Sequence, residues 1–303
     1  PQGQTRGQVM ENGLVLGRAI RVSIVGMALA VSSCGGGSDG GSATPAIQSG
    51  VFVDAPVQGL AYRSGATTGF TDALGTFQYE TGQPVTFTLG SVVIGTIAAG
   101  KATVFPTDLV PGAIDETDAT VSNMVRLLQT LDDDGDPSNG ILITSAVRDS
   151  LTTPLDFAQS KLDFAADPVV VAAVAMATAL RASGAAPLKD AASAEAHFRF
   201  TLLAAFAGTW HASFVGTSGP TDYGNCTVTV NAQGAGSGSC LSVPYNQTIA
   251  VAGNVQSSGS ALITGVTNTG ATFSGSFTRT GSASGTWGNT LVGSAGTWQA
   301  TRN

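Results

Sequence analysis

The residues best suited to chemistry lie in one run, Leu131-Asp132-Asp133-Asp134-Gly135-Asp136-Pro137-Ser138-Asn139-Gly140-Ile141. Carboxylates at alternate positions of a tight loop can turn their oxygens toward one point, which suits a hard cation such as Ca²⁺. With Asp134 as first ligand, Asp136 and Ser138 take the third and fifth positions. Asn139 then stands where an EF-hand loop has glycine, and Ile141 where it has its buried aliphatic. Asp132, Asp134, Asp136, Ser138 and Gly140 are therefore the candidate metal ligands, and Ca²⁺ is the one cofactor the sequence suggests. The pattern breaks at the twelfth position, which is Ser145 where a bidentate glutamate belongs. The competing reading is an acidic turn whose Asp side chains hold main-chain N–H groups.

Other reactive groups are sparse. The two histidines, His197 and His211, have no spacing that suggests a triad or a metal pair, so the expectation is a protein without catalytic residues. Asp54, Asp72, Glu80 and Asp108 fall at turns, where carboxylates usually stabilise backbone geometry. Trp210, Trp287 and Trp298 could form a stacking platform for sugars, or plug the interior of a barrel. Cys226 and Cys240 enclose a short loop between two strand-like runs and are read as a disulfide worth about 3 kcal/mol. They lack the C-x-x-C spacing of a redox pair.

These residues sit in three kinds of segment. Over 50–115, short β-branched and aromatic runs alternate with glycine turns: Val51-Phe52-Val53, Leu60-Ala61-Tyr62, Gly75-Thr76-Phe77-Gln78-Tyr79, Val85-Thr86-Phe87-Thr88-Leu89 and Val92-Val93-Ile94. Five strands at that spacing describe a small β-sandwich. Over 116–207 the period is helical. Val121, Met124, Val125, Leu128 and Leu131 make one apolar stripe, and a second helix is expected over 155–164. A third starts with Asp167 as cap and Pro168 at its first position, ends near Gly184, and is apolar all round, which predicts the buried centre of the layer. A fourth covers 191–207. From 208 to 303 strands and turns return, with three charged residues, Asp222, Arg279 and Arg302. About eight strands are expected there, enough for an antiparallel meander closed into a barrel or folded as a sandwich. Gly208-Thr209-Trp210 and Gly296-Thr297-Trp298 open its first and last strands, and pairing those strands would remove two sheet edges. The fold class is thus α+β multidomain.

Composition narrows the setting. The chain has 40 glycines, 11% charged residues and a net charge of −7, a balance that fits exported β-rich proteins and offers no basic patch for nucleic acid. Ahead of the first strand, residues 34–49 are rich in Gly, Ser, Ala and Thr and read as a flexible tether. Gly36-Gly37-Ser38-Asp39-Gly40 matches the nucleophile-elbow pattern, but no strand and helix flank it.

Two resemblances follow. Arg18 and Arg21, an apolar run over 22–31, and Val31-Ser32-Ser33-Cys34-Gly35 resemble the signal and lipobox of bacterial lipoproteins, with Met10 giving a leader of ordinary length. The resemblance implies removal of residues 1–33, acylation of Cys34, including palmitate, and membrane attachment through the lipid. Gly35 after Cys34 goes with outer-membrane sorting. The series Val53-Asp54-Ala55-Pro56-Val57-Gln58-Gly59-Leu60-Ala61-Tyr62 and Thr71-Asp72-Ala73-Leu74-Gly75-Thr76-Phe77-Gln78-Tyr79 looks like a module of proteobacterial surface lipoproteins and adhesin-like proteins. It is also similar to the transthyretin-like, carboxypeptidase-regulatory class of sandwich. That class is non-catalytic, which implies a binding, adhesion or structural role toward envelope polysaccharide or another surface protein. A small-ligand or carbohydrate-binding barrel is the alternative, and an envelope hydrolase the second.

Overall fold

The computed structural model describes residues 45–303. The leader expected over 1–33 and Cys34 lie outside the described residues. The first strand begins at Ile47, three residues inside the stretch expected to be tether.

The described residues open with β1 (Ile47–Phe52), β2 (Val57–Gln58), β3 (Ala61–Ser64), β4 (Thr67–Phe70), β5 (Thr76–Glu80), β6 (Val85–Leu89), β7 (Val92–Ile97) and β8 (Thr103–Val104). They form a three-stranded sheet, β5-β1-β8, and a four-stranded sheet, β4-β3-β6-β7. The sheets meet through edge-to-face rings: Phe87 of β6 lies 4.9 Å from Phe52 and 5.0 Å from Phe77. The Thr71–Tyr79 run makes the turn between them for local reasons. Thr71 Oγ1 accepts from Leu60 N, and Asp72 Oδ1 accepts from Leu74 N and Thr76 N. Gly75 takes φ +73, and a Cβ there would meet Phe52 O at 2.5 Å. Phe77 then points inward. The two-residue strands and β4 escape the sequence pattern because they are too short or too polar to show a period of two.

Next come α1 (Ala119–Thr130), β9 (Ile141–Leu142), α2 (Ser145–Ser150), α3 (Lys161–Ala166), α4 (Pro168–Thr178) and α5 (Ala191–Ala204). Each helix starts on a side-chain oxygen: Asp118, Thr144, Ser160, Asp167 and Asp190 accept from N–H groups of the first turns. The helix expected over 155–164 is cut to its last part, because Ser160 caps at that point. The sheets and the helices share one core. Phe52, Val57, Phe77 and Phe87 pack in the same cluster as Leu127, Leu128, Phe164 and Val174, and β2 pairs in parallel with β9. The boundary expected at 115/116 therefore divides no two cores. The reading of α4 as the buried centre is corrected: Val170, Ala173, Val174 and Ala177 face in, while Val169, Val171 and Met176 are about half exposed.

The remaining strands are β10 (Gly208–Ser218), β11 (Tyr223–Val230), β12 (Ala235–Ser242), β13 (Gln247–Val255), β14 (Ser260–Gly265), β15 (Ala271–Phe277), β16 (Ser282–Asn289) and β17 (Ser294–Arg302). They form a closed eight-stranded antiparallel barrel, in which β10 pairs with β17 as well as with β11. Closure, not a sandwich, is the outcome, and every strand edge is paired. Apolar residues point in and mostly polar ones point out, as in Val228 and Val230 against Thr227 and Thr229, with Val215, Leu241 and Leu262 as exposed exceptions.

The barrel stands on the helical part by one end. Phe206, just after α5, plugs that end, and the Trp210 indole donates to its carbonyl at 2.9 Å. Arg279, in the turn between β15 and β16, donates to Ile114 O and Ser257 O and lies over the rings of Phe105 and Phe206.

Candidate functional site

The acidic loop joins α1 to β9. Asp134 accepts from Asp136 N and from the Asn139 amide, Asp136 accepts from Ser138 N and the Ser138 hydroxyl, and Asp133 accepts from Ala182 N. Asp134 and Asp136 are held below the usual carboxylate range, chiefly by the side-chain hydrogen bonds from Asn139 and Ser138. Asp132 differs. It is buried, accepts from Leu142 N at 2.9 Å, and leaves its second oxygen without a hydrogen-bond partner. Burial pushes it up to about 6, with Asp134 beside it adding to the rise.

Ca²⁺ requires six to eight oxygens around one point. Among the described residues no group of three or more His, Cys, Asp or Glu side chains is arranged to hold a metal ion. The expected ligands Asp132, Asp134, Asp136, Ser138 and Gly140 are each engaged in hydrogen bonds of the loop and its flank. Asp134 and Asp136 hold the loop's own N–H groups, Ser138 donates to Asp136, and the Gly140 N–H closes a turn onto Pro137 O. Pro137 and the Asx turns of Asp134 and Asp136 shape this loop.

Asp54 does sit in a turn, between the bridged Val53 and Pro56, and is fully buried there. The Gln129 amide donates to both of its oxygens, at 3.3 and 3.0 Å, while Gln129 Oε1 has no partner. Burial raises Asp54 to about 8 against the smaller lowering influence of Gln129 and Lys189. Asp72, Glu80 and Asp108 do act as backbone holders: Glu80 accepts from Ala66 N and Thr67 N, and Asp108 from Phe105 N. His197 is half-buried with Nε2 unpartnered, and burial lowers its pKa. His211 is exposed beside Asn303.

The three tryptophans are interior. Trp210, Trp287 and Trp298 are 1%, 4% and 7% exposed. They build aromatic layers along the barrel axis, Trp210 on Phe277 at one end and Trp287 on Phe214 and Phe273 toward the other. Every indole N–H donates to a main-chain carbonyl: Trp210 to Phe206, Trp287 to Val215, and Trp298 to Ser274 and Thr286. Trp298 lies across Gly275 and Gly285, register partners at which a Cβ would meet facing carbonyls at 2.2 and 2.0 Å. Cys226 and Cys240, directly opposite on β11 and β12, are joined by a disulfide on the inner face. What space remains inside is about 30 Å³, bordered by Trp210, Cys226, Cys240, Val251, Phe273 and Trp298. That is the room of one water molecule.

One solved structure resembles the chain, a redesigned β-barrel. It is 13% identical over 34% of this chain and 95% of its own, with a TM-score of 0.26. No family model matches, and no curated protein does.

Outside the barrel, a groove of about 340 Å³ runs along the exposed side of α4, between Thr152, Thr153, Pro168, Val169, Ala172 and Met176. None of these residues is titratable, so the groove presents apolar contact and two hydroxyls.

Proposed function

We propose that this protein is a lipid-anchored component of the bacterial outer membrane with a non-enzymatic binding or adhesion role. The anchoring rests on Val31-Ser32-Ser33-Cys34-Gly35 behind a basic and then apolar stretch, with Cys34 as the acylated residue. The binding role rests on one observation: the barrel lumen is filled, so the barrel meets other molecules through its outer surface and rims. The paired sheets of the first part, stacked through Phe52, Phe77 and Phe87, are in keeping with a transthyretin-like module that carries no chemistry of its own. Envelope polysaccharide or another surface protein is the class of partner, met by the Ser- and Thr-covered barrel wall.

A carbohydrate or small ligand held inside the barrel is disfavoured by a space too small for a sugar ring. A hydrolase using two carboxylates is disfavoured because the two whose pKa rises, Asp54 and Asp132, are each no more than 1% exposed.

The test is mass spectrometry of the protein expressed in a Gram-negative host, with membrane fractionation beside a Cys34→Ser variant. A diacylglyceryl-modified Cys34 at the mature N-terminus, with the variant released from the membrane fraction, supports the reading. An unmodified Cys34, or unchanged fractionation of the variant, refutes it.

A further inference from the structure

Because consecutive barrel strands are all antiparallel neighbours, their connections alternate between two ends. Three connections, Asn231-Ala232-Gln233-Gly234, Gln256-Ser257-Ser258-Gly259 and Thr278-Arg279-Thr280-Gly281, lie at the end seated on the helical part. They are the same turn, each closed by a glycine N–H to the carbonyl three residues earlier, and all are polar. The four connections at the free end are different. Their tips and the adjoining strand ends expose Tyr223, Val243, Tyr245, Val266, Leu291 and Val292, each between 43% and 65% accessible.

This free rim carries no exposed charge. Of the three charged residues in 208–303, Arg279 and Arg302 belong to the seated end, and Asp222 is buried with its carboxylate on the Ser242 hydroxyl at 2.6 Å. Below the rim the outer wall is largely hydroxyl-bearing: Thr227, Ser239, Thr264, Ser274, Thr286 and Thr297. The wall is thus the reverse of a membrane-spanning barrel, whose lipid face is apolar. Apart from Leu262 on the wall of β14, the exposed large apolar side chains of the barrel gather at or next to this ring.

We infer that this rim dips into the interfacial layer of a lipid bilayer, seating the barrel end-on at a neutral membrane surface. Three features favour lipid over a protein partner. The apolar groups stand on four separate hairpin connections and their adjoining strand ends, not along one strand or helix. They include two tyrosines, whose amphipathic rings suit the headgroup boundary. The absence of charge offers no directional recognition and matches an uncharged, laterally uniform surface. The inference uses residues 208–303 alone and stands apart from acylation of Cys34.

The experiment uses the full chain carrying Cys34→Ser, so that a single introduced thiol takes an environment-sensitive fluorophore. The label is placed at Leu291→Cys on the free rim or at Gln256→Cys on the seated end, and phosphatidylcholine vesicles are added. A blue shift at position 291 that persists in about 1 M salt, where charge attraction is screened within ~3 Å, with none at position 256, supports the inference. So does roughly tenfold or greater weakening of vesicle flotation by Leu291→Ser/Val292→Ser, as expected for removing two large apolar groups from the interface. No shift at 291, an equal shift at both sites, or binding that salt abolishes overturns it. Dimers in sedimentation that the same double substitution dissociates, without a vesicle response, would assign the rim to a second copy of the chain and also overturn it.

Discussion

Between β1 and α5 the core holds ionisable side chains, whereas the aromatic core of the barrel holds none, its one buried carboxylate, Asp222, lying at the free rim. Asp54, Arg126 and Asp132 are each no more than 5% exposed, and Arg126 donates to Lys189 O at 2.8 Å and Lys161 O at 2.9 Å, tying loops to α1. The barrel is packed with Phe, Trp, Val, Ile and Ala, and its polar tasks fall to indole N–H groups and main-chain carbonyls. The difference follows from architecture. Irregular connections between short strands and helices leave carbonyls and N–H groups that side chains must satisfy, while a closed barrel pairs its own backbone. The first region therefore has a pH-sensitive interior and the second a dry one.

The largest expected effect is in the dry region. Trp298→Ala removes a ring packed across two facing glycines and leaves a cavity that strands cannot close, which should cost about 3–5 kcal/mol in denaturant unfolding. A loss under 1 kcal/mol would mean that the interior repacks and is not the rigid plug described. Next is the crosslink. Breaking Cys226–Cys240, whose separation is 14 residues, should lower stability by about 3 kcal/mol, read as the shift in urea midpoint between oxidised and reduced protein.

The third effect divides the two regions. An acid raised in the folded state keeps its proton there after the unfolded chain has lost it, so stability falls as pH rises through the interval. For Asp54 that interval runs from its usual 3.8 to about 8, and for Asp132 from 3.8 to about 6. Asp54→Asn, which keeps an oxygen to accept from the Gln129 amide but carries no titratable proton, should match the parent near pH 4. It should grow more stable than the parent as pH rises to about 8. A parent whose melting temperature is flat across that range would remove the contrast between the regions. The smallest effect is in the acidic loop. Asp134→Ala/Asp136→Ala removes Asx hydrogen bonds and should cost about 1 kcal/mol, equally with Ca²⁺ or with chelator present. Saturable calorimetric heat with Ca²⁺, lost in the variant, would restore the cation reading.

Much of this was legible in the residues. Asp167-Pro168 marks its helix start because capping is a contact over two or three residues, and the Val121 to Leu131 stripe marks α1 because its period is intrinsic to the helix. Alternation of Thr and Val announces the barrel strands, and Cys226 and Cys240 fall on facing positions because the hairpin between them sets the register. The acidic run was ambiguous, since the same Asp spacing serves a cation or main-chain N–H groups, and the choice depends on where the loop's own donors point.

What local sequence determined, then, is where elements start, which face of a strand is apolar, and the pairing of nearby cysteines, all of which depend on neighbours a few residues away. Tertiary structure alone decided the rest. Barrel closure needs β10 to meet β17 across the whole domain, and that closure turns Trp210, Trp287 and Trp298 inward. Asp54 is buried only because α1 and α5 pack over it, and α4 is half exposed because nothing covers its outer face among the described residues. The apolar tips share one rim because antiparallel order sends alternate connections to the same end, a distance in space that no local pattern of residues encodes.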